Sequence, residues 1–328
     1  MRQSTVLVRV GAVAVALALA SCGGAGSGSG SSAAPASGAT KKVSVGVIPI
    51  IDVAPLYLGV QKGFFSKRGL DVVPEPAQGG AAIVPAVLSG QDQFGFSNVV
   101  SLLTAREKGV PLLAVASGSS SNGNPAADVN AVLVAKGSTL RTAKDLVGKK
   151  VAINALNNIG DVTIKAAVEK AGGDPNAVKF VEMPFPDMPA QLASGKVDAV
   201  WESDPFRSQI IAAGGRILFD NLTETYPKLQ IAAYFTSEKV KAKDPAMVAA
   251  FVAAINESMD YASSHPDEAR AVLATYTKMT PEVAAKIVLP AWPTALDLES
   301  AAAIGKAAQK YGALKKAPDL KALYGSAS

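Results

Sequence analysis

The sequence predicts an α/β protein in two lobes, each a mostly parallel sheet covered by helices on both faces. Three observations predict it. Short apolar, β-branched runs alternate with helix-period segments from residue 42 onward. The alternation halts in a Ser-, Gly- and Asn-rich stretch at 117–128, then resumes as a second, similar block. The chain then ends in helices alone.

Each element has its own justification. Residues 43–48 have the continuous apolar pattern of a buried strand. A helix follows over 54–66, with Leu56, Leu58, Val60 and Phe64-Phe65 as its apolar residues. Residues 70–74 form a second strand, and 80–89 a helix ended by Gly90. A strand at 93–96, a helix at 99–108 and a strand at 112–116 complete the first block. In the second block, 129–135 is an apolar strand, and 150–153, 179–182, 199–201 and 216–219 are further strands. Helices at 160–171 and 189–194 lie between them. The apolar run 230–236 returns the chain to the first block. Helices are then expected over 244–263, 266–276, 281–289 and 298–311.

Composition excludes several function classes. The 328 residues contain one Cys and one His, so neither a disulfide framework nor a site needing two imidazoles can be built. No metal and no cofactor are expected. The net charge of +5 is mild for this length and is not the footprint of a nucleic-acid binder. No phosphate-binding Gly-rich loop, nucleophile elbow or zinc spacing occurs.

The N-terminus reads as an export signal over residues 1–21. Arg2 and Arg9 precede an apolar run at 10–20, which is too short to span a bilayer. Leu19-Ala20-Ser21-Cys22 resembles a bacterial lipobox, which makes Cys22 the lipidated first residue of the mature chain. Residues 22–41 are Cys22 and a Gly/Ser/Ala-rich tether. Processing removes two Arg and leaves 30 basic against 27 acidic residues, a balance of +3.

Motifs throughout the folded part resemble one family. They include Ala54-Pro55-Leu56-Tyr57-Leu58-Gly59, Lys62-Gly63-Phe64-Phe65, Gly69-Leu70-Asp71-Val72 and Asp92-Gln93-Phe94-Gly95-Phe96. In the second block, Asp145-Leu146-Val147-Gly148-Lys149-Lys150 and Gly195-Lys196-Val197-Asp198-Ala199 continue the match. Together they resemble the substrate-binding proteins of ABC importers, in the NMT1/THI5-like branch that binds nitrate, taurine, alkanesulfonates and thiamine pyrimidines. The resemblance implies a type II periplasmic binding protein fold, with two crossover strands and a ligand cleft between lobes. The crossings are expected near 129–135 and 230–236. Lobe 1 would comprise 42–129 and 236–328, and lobe 2 would comprise 130–235. It further implies a monomer held at the extracytoplasmic face of the membrane by its lipid. Its partners would be a small-molecule ligand, an ABC permease and the permease's ATPase. No enzymatic activity is implied.

In such sheets ligands lie beyond the carboxyl ends of strands, where helix N-termini offer free N–H groups. The candidates in lobe 1 are therefore Asp52, Gln78, Ser97, Asn98 and Gly118, with Ser119 beside the last. In lobe 2 they are Asn157, Asn158, Asp161, Asp187, Trp201, Glu202 and Asp204. Ser97, Asn98, Asn158 and Asp161 equally suit helix capping, and Asp187 suits it better than ligand contact. Trp201 can stack on a planar ligand or fill a core; Tyr234 and Trp292 can wall the cleft or pack inside. The strand-end loops hold Asp52, Asp161, Asp187, Glu202 and Asp204 but no Lys or Arg. Such a cleft repels anions and favours a neutral or donor-rich ligand, such as an aminopyrimidine-like heterocycle. Two rival readings are a ligand-sensing lipoprotein and an enzyme on the same fold. His265 precedes Pro266 at a helix start and is expected to cap that helix.

Overall fold

The structure is a computed structural model and describes residues 40–325. The export signal, Cys22 and nearly all of the tether lie outside the described residues. In chain order the first block is β1 (Lys41–Val47), α1 (Ala54–Gln61), β2 (Leu70–Pro76), α2 (Gly80–Ser89), β3 (Phe94–Asn98), α3 (Val99–Glu107) and β4 (Leu112–Ser117). The second is β5 (Ala131–Val134), β6 (Lys150–Ile153), α4 (Ile159–Lys170), β7 (Lys179–Glu182), α5 (Met188–Ala193), β8 (Ala199–Glu202), α6 (Phe206–Ala212), β9 (Arg216–Phe219) and α7 (Leu222–Thr225). The chain finishes with β10 (Ala232–Ser237), α8 (Glu238–Lys243), α9 (Pro245–Ser264), α10 (Pro266–Ala271), α11 (Pro281–Ala284), α12 (Leu298–Lys310) and α13 (Leu320–Tyr324).

Two five-stranded sheets result, ordered β2-β1-β3-β10-β4 and β7-β6-β8-β5-β9. The two orders are the same topology. Three strands run parallel, and a strand arriving from the other lobe lies antiparallel in the fourth position. The repeat seen in the sequence is thus a repeat of sheet architecture. Val43, Val45 and Val47 on β1 are all buried, as expected of a strand covered on both faces. The long α9 crosses the first sheet and stacks Phe251 on Phe94, with ring centroids 3.8 Å apart.

The crossings differ from expectation. The apolar runs at 129–135 and 230–236 are mostly the landing strands β5 and β10. Residues 232–235 pair with β3 and β4, so they belong to the first sheet rather than to lobe 2. The connecting segments lie just before each landing strand and run against one another. Gly118 N–H donates to the Ala232 carbonyl (3.1 Å), Ser121 N–H to Leu229 (2.8 Å), and Ile231 N–H to the Ser119 carbonyl (2.8 Å). The physical reason is polarity. A bare crossing needs side chains to satisfy its backbone. Asp128 does this by accepting from the Ser121 hydroxyl, Asn122 N–H and Val129 N–H. A third segment joins them: Ser120 and Ala291 exchange both backbone hydrogen bonds, at 2.8 and 3.0 Å.

Several helices are shorter than their periodicity implies. The α1 helix stops at Gln61 because Gly63 turns the chain at φ +75°. The helix expected over 266–276 becomes α10 followed by a tighter 3-10 turn at Val272–Thr275. The one expected over 281–289 shrinks to α11, since Pro290 and Pro293 hold the following chain extended toward the hinge.

Candidate functional site

The residues that follow β1 meet those that follow β8. Ile51 N–H donates to the Asp204 carbonyl at 3.1 Å, and the Ser203 hydroxyl donates to Asp52 Oδ2 at 3.3 Å. Asp52 is only 2% exposed. Its other oxygen accepts from the Ser119 hydroxyl at 2.5 Å, and its backbone carbonyl accepts the Trp292 indole N–H at 3.0 Å. Burial pushes the Asp52 carboxyl up to about 6; the Asp128 charge adds to this, and the two hydroxyl donors oppose it. Beside it, Tyr57 stacks on Tyr276 with centroids 3.8 Å apart, and Tyr276 donates to the Ile50 carbonyl at 3.1 Å. Burial raises the Tyr57 phenol to about 12.

Lobe 2 contributes two buried acids. Glu202 ends β8, has no exposed surface, and neither carboxyl oxygen has a hydrogen-bond partner among the described residues. Burial pushes its carboxyl well up, and the Asp204 charge adds to this. Asp204 accepts Ser208 N–H at 3.0 Å, and its Oδ2 lies 3.7 Å from Arg207, itself buried. Burial also raises Asp204, against the opposing pull of Ser208 and Arg207.

In lobe 1 the hydroxyls of Ser97, Ser117 and Tyr234 are buried without partners among the described residues. Such atoms are uncommon in a folded chain and cost about 1–3 kcal/mol each. Ser97, Ser117 and Glu202 each lie at the carboxyl end of a strand. A binding site that presents unpaired acceptors and hydroxyls to a polar molecule has this chemistry.

Two cavities border the region. One of about 300 Å³ lies at the mouth between the lobes, lined by Ile48, Gln78, Phe185, Asp187 and Phe206 among others. A larger one, of about 910 Å³, sits behind the hinge, around Trp292, Leu296 and Leu298. The candidate site is placed by the unpartnered polar atoms, not by cavity size.

Residues 50–269 match the family model described as NMT1/THI5 like. The chain belongs to the NMT1/THI5-like family. It is 25% identical over 223 residues to a formylaminopyrimidine-binding protein of Halalkalibacterium halodurans, spanning 67% of this chain and 65% of that one. It is 24% identical over 228 residues to a 4-amino-5-hydroxymethyl-2-methylpyrimidine phosphate synthase of Saccharomyces cerevisiae, spanning 66% and 64%. The matched stretch thus spans just under two thirds of each relative's length. Among solved structures, it superposes on the zinc-bound ligand-binding component of an ABC-type import system from Staphylococcus aureus. That match has a TM-score of 0.76 at 14% identity, covering 87% of this chain and 96% of that one. This likeness shows the fold, a two-lobed type II binding-protein architecture.

In this NMT1/THI5-like chain the expected site residues fall into distinct places. Asp52 and Asp204 come together where the lobes meet, Glu202 is buried two residues earlier at the end of β8, and Ser97 and Tyr234 lie on the lobe 1 side. Asn98 and Asn158 cap the helices α3 and α4, and the helix starts are themselves linked. Asn98 accepts Ser101 N–H at 3.0 Å, and the Asn158 amide donates across to the Ser101 hydroxyl at 2.7 Å. Asp161 spends its carboxylate on the N–H groups of Asn157, Asn158 and Val162, at 2.7–3.0 Å. Asn157 is exposed, in left-handed conformation at φ 53°. Gly118 lies in the hinge, where a Cβ would meet Phe96 at 2.7 Å and the Ala232 carbonyl at 2.9 Å. Gln78 and Asp187 are exposed at the cleft mouth. Asp187 stands at the N-cap of α5 but makes no side-chain cap.

Trp201 packs inside lobe 2, donating to Asn221 at 3.1 Å. Its ring lies where a Gly160 Cβ would come within 2.8 Å. His265 does not cap α10 either; its ring stacks on Tyr261 at 3.9 Å. The site region is also not free of cations, because Arg207 folds back one turn to Asp204. Its spacing from Asp204, three residues on in a helix, was the available signal. Ser101, Ser203, Tyr57 and Tyr276 were missed as well. Tyr57 lies inside a family-like motif, while Tyr276 lies more than two hundred residues away in sequence.

Proposed function

We propose that this chain is an extracytoplasmic solute-binding lipoprotein of an ABC importer, anchored through Cys22. It captures a small, donor-rich polar molecule between its lobes and delivers it to a permease and its ATPase without catalysis. One observation carries the ligand class. Glu202 is a fully buried carboxyl with two unpartnered oxygens, beside Asp204 and one residue from the contact with Asp52. A ligand offering N–H or O–H donors would satisfy these oxygens and favour the ionised carboxylate, whereas an anion would oppose that ionisation. The formylaminopyrimidine-binding relative supports the same chemistry. Asp52, Ser97, Tyr234 and Asp204 would complete the contacts, with Gln78 and Asp187 at the rim.

The synthase relative keeps an enzymatic reading in view. Here the one His, His265, is exposed and packed on Tyr261, and the one Cys is Cys22. His265 is not placed for chemistry at the lobe contact, and Cys22 lies outside the described residues.

The test is a thermal-shift and calorimetric panel of aminopyrimidines, alkanesulfonates and nitrate on the purified chain. A ligand at a hundredfold its Kd stabilises by about 2.7 kcal/mol. Aminopyrimidines should stabilise the wild-type chain, and the Glu202→Gln variant should lose that response. Tight binding of nitrate or a sulfonate would overturn the ligand class. Turnover of any bound pyrimidine would overturn the non-catalytic reading.

A further inference from the structure

The end of the first sheet opposite the strand ends of the candidate site carries a cluster of exposed lysines. Lys41 and Lys42 open β1, and Lys239, Lys241 and Lys243 lie on α8, directly after β10. Lys41, Lys42, Lys239 and Lys243 line one groove of about 450 Å³ with Ser89, Gly90 and Gln93. Acids nearby are few and largely engaged. Asp244 pairs with Lys41, and Glu238 is taken by Arg106 at 2.6 Å. Asp71 lies opposite Lys42 in the strand register. The matching edge of the second sheet also has Lys149, Lys150 and Lys179, but Asp145, Asp174 and Asp198 interleave with them. Asp198 accepts the Lys150 backbone N–H at 2.8 Å.

We propose that the lysine face of lobe 1 docks on an anionic phospholipid surface. Two observations select this occupant. The first is charge: a compact, solvent-facing group of lysines matches a sheet of phosphate headgroups, and each strengthens partitioning about fivefold when close to it. The second is connectivity. The chain enters the sheet at Lys41, in the groove itself, only 19 residues after Cys22. Whatever holds Cys22 is therefore never more than about 70 Å from this face, the fully extended length of that stretch. A lipid at Cys22 and a polybasic patch would be two membrane signals on one chain, a pairing that rests on the anchoring proposed above. In this orientation the strand ends bearing Asp52 and Ser97 point away from the bilayer. The lipid-docked chain would present its cleft to the solution and turn over to reach a permease.

The test uses processed chain 22–328 with Cys22→Ala, so that no lipid contributes. Co-sedimentation is measured with phosphatidylcholine vesicles, with and without an equal share of phosphatidylglycerol, at about 20 and about 500 mM salt. Binding should require phosphatidylglycerol and vanish at high salt. The Lys239→Glu/Lys241→Glu/Lys243→Glu variant should bind at least about tenfold more weakly. Reversal of Lys149, Lys150 and Lys179 should change binding less than about twofold. Equal losses in both triples would reduce the effect to net charge and overturn the proposal. So would equal binding to neutral vesicles, or retention on polyanions such as nucleic acid with none on vesicles. Ligand stabilisation should be the same in both triples, which keeps this result separate from the ligand-binding reading.

Discussion

At the scale of single residues, the site is defined by acids kept away from water. Glu202 contributes destabilisation to the unliganded chain because its carboxyl is desolvated and unpaired. Glu202→Gln should therefore raise stability by about 1–3 kcal/mol while weakening a donor-rich ligand at least about tenfold. Urea melts and calorimetry on the same variant check both; a variant less stable than wild type would contradict the assignment. Asp52 makes a pH prediction. Its carboxyl sits at about 6 in the folded chain, against 3.8 ordinarily. Between those values the folded chain holds a proton that the unfolded chain has released. Stability from this group therefore falls as pH rises from about 4 to about 6 and is level above that, by about 3 kcal/mol. Asp220, also raised to about 6, slopes the same way. Asp52→Asn should remove the first share and leave the second, read from urea melts across pH 4–8; an unchanged slope would refute it. The sequence made Asp52 and Glu202 visible through strand-end position alone. Their burial was not visible, because it arises from contacts between residues about 150 positions apart.

Among the elements, the helix starts of α3 and α4 do two jobs at once. Asn98 and Asn158 cap their own helices, and Ser101 receives the Asn158 amide from the other lobe. A double-mutant cycle between Ser101→Ala and Asn158→Ala should show about 1 kcal/mol of coupling in ligand affinity. Additive effects would mean that the link has no part in closure. Gly160 is the other sensitive point on α4. A methyl group there meets the Trp201 ring at 2.8 Å, so Gly160→Ala should cost about 1–3 kcal/mol despite its better helix propensity. A thermal melt decides the sign. Most strands and the longer helices were legible in the sequence, since buried parallel strands read as apolar runs and caps sit at fixed offsets. The breaks at 62–66 and 285–297 were less so. Gly63 and the prolines act through tertiary routing, which periodicity does not encode.

For the whole molecule, the hinge is a three-segment ribbon centred on Ser120, which bridges to Gln230 on one side and Ala291 on the other. Ala291→Pro deletes the N–H that donates to the Ser120 carbonyl. It should lower stability by about 1 kcal/mol or more and widen the spread of lobe separations in small-angle scattering, with lobe 2 intact. A scattering profile and melting curve identical to wild type would show that the third segment carries no load. The sequence displayed the two similar blocks and the return near 230. The role of 291–292 was hidden, because an extended dipeptide between prolines carries no periodic signal. The sheet order also dictates how the chain can assemble. Lobe 2 is built from one contiguous stretch, whereas the first sheet has β10 between β3 and β4, from more than a hundred residues downstream. No nascent chain ending before residue 237 can complete that sheet, so its first four strands wait with β3 and β4 unjoined. Lobe 2 is free to fold first, and closure of the first sheet is a late, long-range step that sets the pace of maturation.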